Sequence, residues 1–239
     1  MAQADWADLS GSALDSTDVP RGVTAALTVP PGGTAFTYGF RSEVSTIGFA
    51  GKYCALTNFS PITGSRKGGS IRCAVKRYAS GANFAPMFGF IQGVDPTTSS
   101  GYMVGLSEAD AYNIVLKKGV PSAGLDASGS DIIRASTASW TAVGDGVTVW
   151  KHLRLDVLVN PHDEVVLNVY ENDLTANDVD APVWAAITGM DSFIDDANGI
   201  LTGSLPYTGP FYPFFGMYTE GVGVSVLYDH FEVLRQTAP

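Results

Sequence analysis

The sequence is short of charged residues, and it is especially short of basic ones. Charged side chains make up only 16% of the 239 residues, and 24 acidic against 14 basic residues give a formal net charge of -10. An acidic surface of this kind repels phosphate groups, which argues against binding to nucleic acid and to anionic membranes. We therefore expect neither nucleic acid nor a membrane among the partners of this protein.

Long hydrophobic runs and a signal peptide are also missing. No apolar stretch approaches the ~20 residues that a membrane-spanning helix requires. The first ten residues, MAQADWADLS, contain neither the basic nor the apolar part of a secretory signal. We therefore expect synthesis in a reducing cytoplasm without a signal peptide.

Cysteine is scarce. Cys54 and Cys73 are the only two, and no Cys-x-x-Cys motif or Cys/His cluster is present to build a structural zinc site. The two cysteines fall on separate predicted strands. For a cytoplasmic product we predict that both are thiols, and a disulfide between neighbouring strands is the alternative.

Turn-forming residues, in contrast, are abundant. The chain has 27 Gly and 13 Pro, and 45% of its residues are hydrophobic. This composition favours many short strands joined by turns over a helical bundle or a disordered chain. All-β sandwiches of this length are often single domains. We predict an all-β, antiparallel two-sheet sandwich over residues 23–239, preceded by an N-terminal arm at residues 1–22.

The clearest strand pattern lies between residues 147 and 172. Apolar and polar residues alternate there, which marks half-buried strands, and turn residues at 160–163 separate two such stretches. This pattern predicts a hairpin at the centre of an antiparallel sheet. Its predicted core-facing residues are Leu153, Leu155, Val157, Val159, Val165, Leu167 and Val169, and His152, Arg154 and Asp156 are predicted on the opposite face.

Other segments carry more local predictions. Residues 85–92 are apolar on both faces, which is typical of a central strand. Alternation of Tyr112, Ile114 and Leu116 ahead of the Lys-Lys-Gly at 117–119 predicts a further strand, and residues 119–131 are predicted to form a loop. Residues 191–198 are predicted to hold one helical turn, and the aromatic and proline-rich residues 206–213 to form an ordered surface loop.

The first 22 residues lack any sustained period. Their apolar side chains are too sparse to build a core, so the segment must lie against something else if it is ordered. We predict an assembly arm that docks on a neighbouring subunit. Its contact residues would be Trp6, Leu9, Leu14 and Val19.

Three stretches, taken in order, carry a family resemblance. They are GYMVGLSEADAYNIVLKK at 101–118, the Trp-to-Tyr hairpin at 150–170, and the closing Phe-Gly at 215–216 with YDHFEV at 228–233. Their order resembles the concanavalin A-like lectin/glucanase jelly rolls, which include the laminin-G-like domains. The resemblance covers residues 23–235 and implies a jelly-roll sandwich.

The front of the chain carries a second resemblance. Residues 13–15, 21–24, 30–33 and 38–42 resemble structural proteins of tailed bacteriophages. This resemblance implies a virion component with a capsid-decorating or tail accessory role. The implied partners are other virion proteins and copies of the chain itself, and the implied location is the virion.

Catalytic motifs are not visible in the sequence. Glycosidases of the resembled superfamily carry a Glu-x-Asp-x-x-Glu strand, but the acidic residues at 163–164 and 171–173 lack that spacing. A Gly-x-Ser-x-Gly nucleophile elbow is also absent. We therefore expect a non-enzymatic structural protein that has no catalytic residues and no cofactor.

Calcium and glycan binding are the alternatives that the sequence leaves open. Acidic loops at 173–180 and 195–198 offer oxygen ligands, although plain surface loops explain them equally and no metal site is predicted. Trp184, Tyr207 and Tyr212 could stack on sugar rings, or could pack down a loop or fill a subunit interface. The alternative function is therefore that of a carbohydrate-binding module for host-surface attachment.

Overall fold

A computed structural model gives the architecture of the chain. Within the described residues the chain forms fourteen strands in two antiparallel sheets. No helix in this part of the chain is long and apolar enough to cross a membrane. The described residues are 6–8, 40–44, 52–56, 62, 67–77, 84–93, 95, 98–107, 113–121, 132–139, 150–196, 205–219 and 224–237.

The first sheet has seven strands. They are β1 (Trp6–Asp8), β3 (Lys52–Leu56), β5 (Phe84–Ile91), β6 (Gly101–Ser107), β7 (Asn113–Gly119), β8 (Ile132–Ser139) and β13 (Tyr212–Thr219). Their order across the sheet is β1-β3-β13-β5-β6-β7-β8.

The second sheet is built around the predicted hairpin. Its strands are β2 (Phe40–Val44), β4 (Lys67–Arg77), β9 (Trp150–Val159), β10 (Val165–Asn172), β11 (Trp184–Ala186), β12 (Phe193–Asp195) and β14 (Val224–Thr237). The order is β11-β10-β9-β4-β14-β2, and β12 also pairs with β10.

One hydrophobic core fills the space between the two sheets. The predicted hairpin contributes seven of its residues, each at most 1% exposed, and Leu155 lies opposite Val169 in the register. From the first sheet, Phe88 and Phe90 of β5 join the same cluster, and residues 86–91 of β5 are buried on both faces as predicted. The predicted all-β, two-sheet sandwich and its central hairpin are confirmed.

The hairpin turn follows from its side chains. The Asn160 carboxamide oxygen accepts the backbone N–H groups of His162 and Glu164, at 2.9 and 3.1 Å. Asp163 has a φ of 59°, a left-handed conformation that Asp tolerates better than most residues. The turn therefore fixes the register that places Leu155 and its neighbours in the core.

One local prediction is wrong. Residues 193–195 do not belong to a helical turn, because Phe193–Asp195 form β12 and pair with residues 165–167 of β10. Pairing with a distant strand overrides the local pattern here. The strand predicted around Ile114 and Leu116 is β7, which runs from Asn113 to Gly119 in register with β6.

The N-terminal segment is described only at β1. Trp6 lies opposite Leu56 of β3, so this part of the predicted arm is a short edge strand of the chain's own sheet. Leu9, Leu14 and Val19 lie outside the described residues. Docking on a neighbouring subunit and the boundary between residues 22 and 23 stay predictions.

The two cysteines lie in different sheets. Cys54 is in β3 of the first sheet, and Cys73 is a buried residue of β4 in the second. The disulfide alternative assumed neighbouring strands, and that assumption does not hold. The predicted thiol state of both residues stays a prediction.

Candidate functional site

The outer face of the second sheet carries cross-strand rows of polar side chains. Its central row runs through Glu232 (β14), Arg72 (β4), Arg154 (β9), Tyr170 (β10) and Ala186 (β11), which are successive partners in the register. Neighbouring strands lie ~4.8 Å apart, so the row spans about 19 Å. One row of residues flanks the central row on each side. The first flanking row is Leu234, Ser70, Asp156 and Asn168, and the second is Ala74, His152, Asn172 and Trp184. We call the three rows together the polar face.

The predicted polar side of the hairpin falls on this face. His152, Arg154 and Asp156 all project away from the core, as their alternation with Leu153 and Leu155 indicated. Tyr170 was not predicted as a site residue. The signal for it was available, because Tyr170 is out of phase with the core-facing residues of β10.

Ion pairs fix the charged side chains of the polar face. Arg154 donates two hydrogen bonds to Asp156, at 2.7 Å from Nε to Oδ1 and 2.6 Å from Nη2 to Oδ2. Arg72 pairs with Glu232 at 2.5 Å. The Arg154 guanidinium also lies 5.0 Å from the centre of the Tyr170 ring, a cation–π contact. Arg72, Arg154, Asp156 and Glu232 therefore each have a partner of opposite charge within the same face.

A strap formed by residues 173–183 crosses one end of the polar face. Val179 of the strap packs on Ala74 and Trp150, and Asp180 Oδ1 lies 2.7 Å from Nε2 of His230. His230 belongs to an irregularity of β14 between Asp229 and Glu232, and its φ is 49°. The strap thus reaches from the end of β10 across the sheet to β14.

Asn172 ties the strap to the sheet. Its Nδ2 donates to the carbonyl oxygen of Asp178 at 3.1 Å, and its Oδ1 accepts the N–H of Val183 at 3.0 Å. The same Nδ2 lies 3.2 Å from Nδ1 of His152. One buried side chain therefore contacts the middle of the strap, its last residue and the histidine beneath it.

His152 is buried under the strap. Its ring meets Trp184 edge-on, with centroids 4.6 Å apart. Burial, assisted by Arg72 and His230, lowers the pKa of His152 to about 3. The ring is therefore neutral near pH 7, and because Nδ1 accepts from Asn172 the proton lies on Nε2. That Nε2 is buried and finds no hydrogen-bond partner in the described part of the chain.

A second polar cluster is closed inside the sandwich. The Tyr102 hydroxyl donates to Asp195 Oδ2 at 2.6 Å, and Lys118 Nζ lies 2.8 Å from the same oxygen. Burial, and then the Asp195 carboxylate, raise the pKa of Tyr102 well above its ordinary value, so the hydroxyl keeps its proton. Lys118 and Asp195 are only 1% and 5% exposed, so this cluster ties β6 and β7 to β12 and offers no surface to a ligand.

The three aromatic residues predicted as glycan contacts are not brought together. Trp184 lies on the polar face. Tyr207 packs 5.5 Å from the Tyr102 ring and donates its N–H to the Tyr102 hydroxyl, and Tyr212 belongs to β13 of the first sheet. Of the three, only Trp184 shares a face with Tyr170. These two are diagonal neighbours, because Tyr170 pairs with Ala186 and Asn172 pairs with Trp184.

Three of the acidic residues in the loops considered for calcium have other partners. Asp173 Oδ1 accepts the N–H and the hydroxyl of Thr175, and these bonds lower the pKa of Asp173. Asp180 pairs with His230, and Asp195 with Lys118. Over the described residues no group of three or more His, Cys, Asp or Glu is placed to hold a metal ion.

Comparison with known proteins identifies the architecture. No protein-family model and no curated protein sequence matches the chain. Among solved structures, the potassium-bound carbohydrate recognition domain of Emp46p matches with a TM-score of 0.54 at 11% identity, covering 96% of this chain and 88% of that one. The fold is that of the lectin-like jelly rolls. At this identity the likeness concerns the fold alone.

Alginate lyases also appear among the structural neighbours. The enzyme from Corynebacterium sp. has a TM-score of 0.46 at 8% identity, with 83% of this chain and 77% of that one covered. AlgAT5 of polysaccharide lyase family 7 also has a TM-score of 0.46, at 7% identity, with 97% and 94% covered.

These neighbours correct the expectation of a non-enzymatic protein. That expectation rested on the missing carboxylate strand of the glucanases, which speaks only to hydrolysis. Lyases are a different reaction class, and they occur among the structures that this chain resembles. The missing strand therefore does not exclude an enzyme, and the prediction made from it is wrong.

The resemblance to phage structural proteins gains nothing from these comparisons. None of the structures named above is described as a virion protein. Of the residues that carried the resemblance, only 40–42 are among those described.

Proposed function

We propose that the protein binds carbohydrate and that the polar face is the binding surface. The observation that carries the proposal is the central row, where Arg72, Arg154 and Tyr170 stand side by side on one sheet face. Sugar recognition combines an aromatic ring, which covers the apolar C–H face of a sugar, with fixed groups that hydrogen-bond its hydroxyls. The polar face supplies both kinds of group.

The donors of the polar face are held in place before any ligand arrives. Asp156 engages Nε and Nη2 of Arg154, and Tyr170 lies against the guanidinium. A guanidinium has five N–H groups, so further donors remain for sugar hydroxyls. Because the side chain is already ordered, binding costs less conformational entropy.

Two aromatic rings extend the surface towards the strap. Diagonal neighbours across a sheet lie ~7–8 Å apart, which places Tyr170 and Trp184 within reach of adjacent sugar rings. Both side chains are partly exposed. The match to a carbohydrate recognition domain adds support at the level of the fold.

Glycan binding by aromatic variants tests the proposal. The wild-type chain is first screened on a glycan array, and the strongest ligand is then titrated against Tyr170→Ala and Trp184→Ala. Each variant should bind about tenfold more weakly or worse, as expected for truncated aromatic contacts. Tyr212→Ala is the matched control, because Tyr212 is a partly exposed tyrosine of the other sheet. The proposal fails if no glycan binds, or if only the control variant loses affinity.

We also propose, as a second and separate candidate, a place in the virion of a tailed bacteriophage. The support is the sequence resemblance at residues 13–42. Mass spectrometry of purified particles from a phage that encodes the chain tests it. The chain should be present in many copies per particle, and its absence would reject the virion role without touching the glycan proposal.

A further inference from the structure

The charges of the polar face cancel within the face. Arg154 is neutralised by Asp156 in a two-point contact, and Arg72 by Glu232. Both arginines of the face are therefore paired with a carboxylate of the same face.

The surroundings of the polar face are acidic. Exposed Asp173 and Asp178 lie in the strap, and Asp180 of the strap is 42% exposed. The chain as a whole has a formal net charge of -10. Charges of one sign around a surface lower the local concentration of ligands of that sign.

We infer that the polar face selects uncharged glycans and rejects polyuronates, with Asp156 and Glu232 as the residues that determine this specificity. The inference rests on the proposed function, since it names the ligand class of the same face. An arginine that is already paired with a carboxylate of the face can still donate a hydrogen bond to a sugar hydroxyl. To form an ion pair with a uronate carboxylate, the arginine must first break its ion pair with Asp156 or Glu232.

The two carboxylates differ in how they can be tested. Glu232 has a side chain that is 45% exposed, so Glu232→Gln removes the charge with little effect on packing. Asp156 is 9% exposed and also accepts the Ser70 hydroxyl, so Asp156→Asn is the second variant and its melting temperature is recorded. Asp163→Asn is the control, because it removes one charge from an exposed turn and Asn tolerates the same left-handed φ.

Binding of two charge classes of glycan then tests the inference. Neutral β-glucan oligosaccharides and alginate oligosaccharides of equal length are titrated at low and at moderate salt. Wild type should bind the neutral ligand, and alginate at least tenfold more weakly. Glu232→Gln should raise the affinity for alginate at least fivefold relative to the affinity for the neutral ligand, in a manner that salt weakens.

The outcomes separate the inference from the function on which it rests. If wild type binds alginate as well as or better than the neutral ligand, the inference is overturned and glycan binding stands. If neither ligand binds and no glycan on a wider array binds either, both the proposed function and the inference are rejected. If Asp163→Asn raises alginate affinity as much as Glu232→Gln, net charge sets the preference, and Asp156 and Glu232 lose their assigned role.

Discussion

His152 is a histidine that folding keeps neutral. It is fully buried beneath the strap, and its pKa falls from the ordinary 6.5 to about 3. Between these two values the unfolded chain binds a proton that the folded chain does not. The contribution of His152 therefore lowers stability as the pH falls from about 6.5 towards 3.

The pH dependence of unfolding measures this effect. Each pH unit in that window costs up to about 1.4 kcal/mol, so the free energy of unfolding at pH 4.5 should be about 2.5 kcal/mol below its value at pH 7. His152→Gln should remove most of that difference. His162→Gln, in the exposed hairpin turn, should keep it. A wild-type stability that stays flat down to pH 4.5 would contradict the buried neutral ring.

Leu155 tests which face of the hairpin is buried. It is 0% exposed in the core, so Leu155→Ala should lower the free energy of unfolding by about 2–5 kcal/mol. Leu158→Ala is the matched control, because Leu158 lies on the outer face of the same strand and is only partly buried. Chemical denaturation measures both variants. Equal losses for the two leucines would show that the faces are not distinguished as described.

Leu155 and Lys118 show how far single residues can be predicted. The burial of Leu155 follows from alternation, a local signal that needs only its own strand. The burial of Lys118 depends on its ion pair with Asp195, which lies on a strand distant in the sequence. The local sequence around Lys118 does not predict this partner. The sequence therefore places apolar core residues well and buried charges poorly.

The strap closes off one end of the polar face. It is long and acidic, and it owes its position to hydrogen bonds from Asn172 and to the pair between Asp180 and His230. These contacts hold the strap over Ala74 and Trp150 at one end of the polar face. We expect the strap to be sensitive to the loss of Asn172.

Limited proteolysis of two asparagine variants tests this dependence. Asn172→Ala removes the hydrogen bonds to two partly buried backbone groups, those of Asp178 and Val183. This loss costs about 1–3 kcal/mol and should speed cleavage within residues 173–183 severalfold. Asn168→Ala is the control on the same strand, because its side chain accepts the N–H of Ser192 and does not touch the strap. Faster strap cleavage in both variants, or in neither, would remove the special role of Asn172.

Elements were predictable where their signal was local. The central hairpin has strict alternation and a turn in which Asn160 accepts backbone N–H groups, so its faces and its turn were predicted correctly. The predicted ends of its strands differ from the observed ends by about one to three residues. β12 has only three residues and exists because β10 offers it an edge, and the strap lies where Asn172 holds it. Neither could be predicted, because each depends on contacts made by the folded sheet.

At the scale of the whole molecule, the arm prediction concerns assembly. β1 pairs with β3 of the same chain, and the rest of residues 1–22 is predicted to dock on a neighbouring subunit. A chain shortened to begin at Arg21 should fold but lose self-association, which sedimentation velocity measures alongside the melting temperature. Unfolding of the shortened chain would assign the segment to its own domain, and unchanged association would make it a passive tail.

The two faces of the sandwich differ sharply in character. The side of the first sheet turned away from the core carries buried apolar residues such as Met87, Met103 and Phe214. The polar face of the second sheet carries paired charges and two partly exposed aromatic rings. This asymmetry is the basis for assigning glycan binding to the second sheet.

Mapping a bound glycan by NMR tests the central claim most directly. The backbone amide shifts of the 25.1 kDa chain are followed while a neutral glycan from the array is titrated. Shifts should concentrate around Arg72, Arg154, Tyr170 and Trp184, with the strap beside them. Perturbations confined to β5, β6 and β13 of the first sheet would contradict the account and move the binding surface to the opposite face of the sandwich.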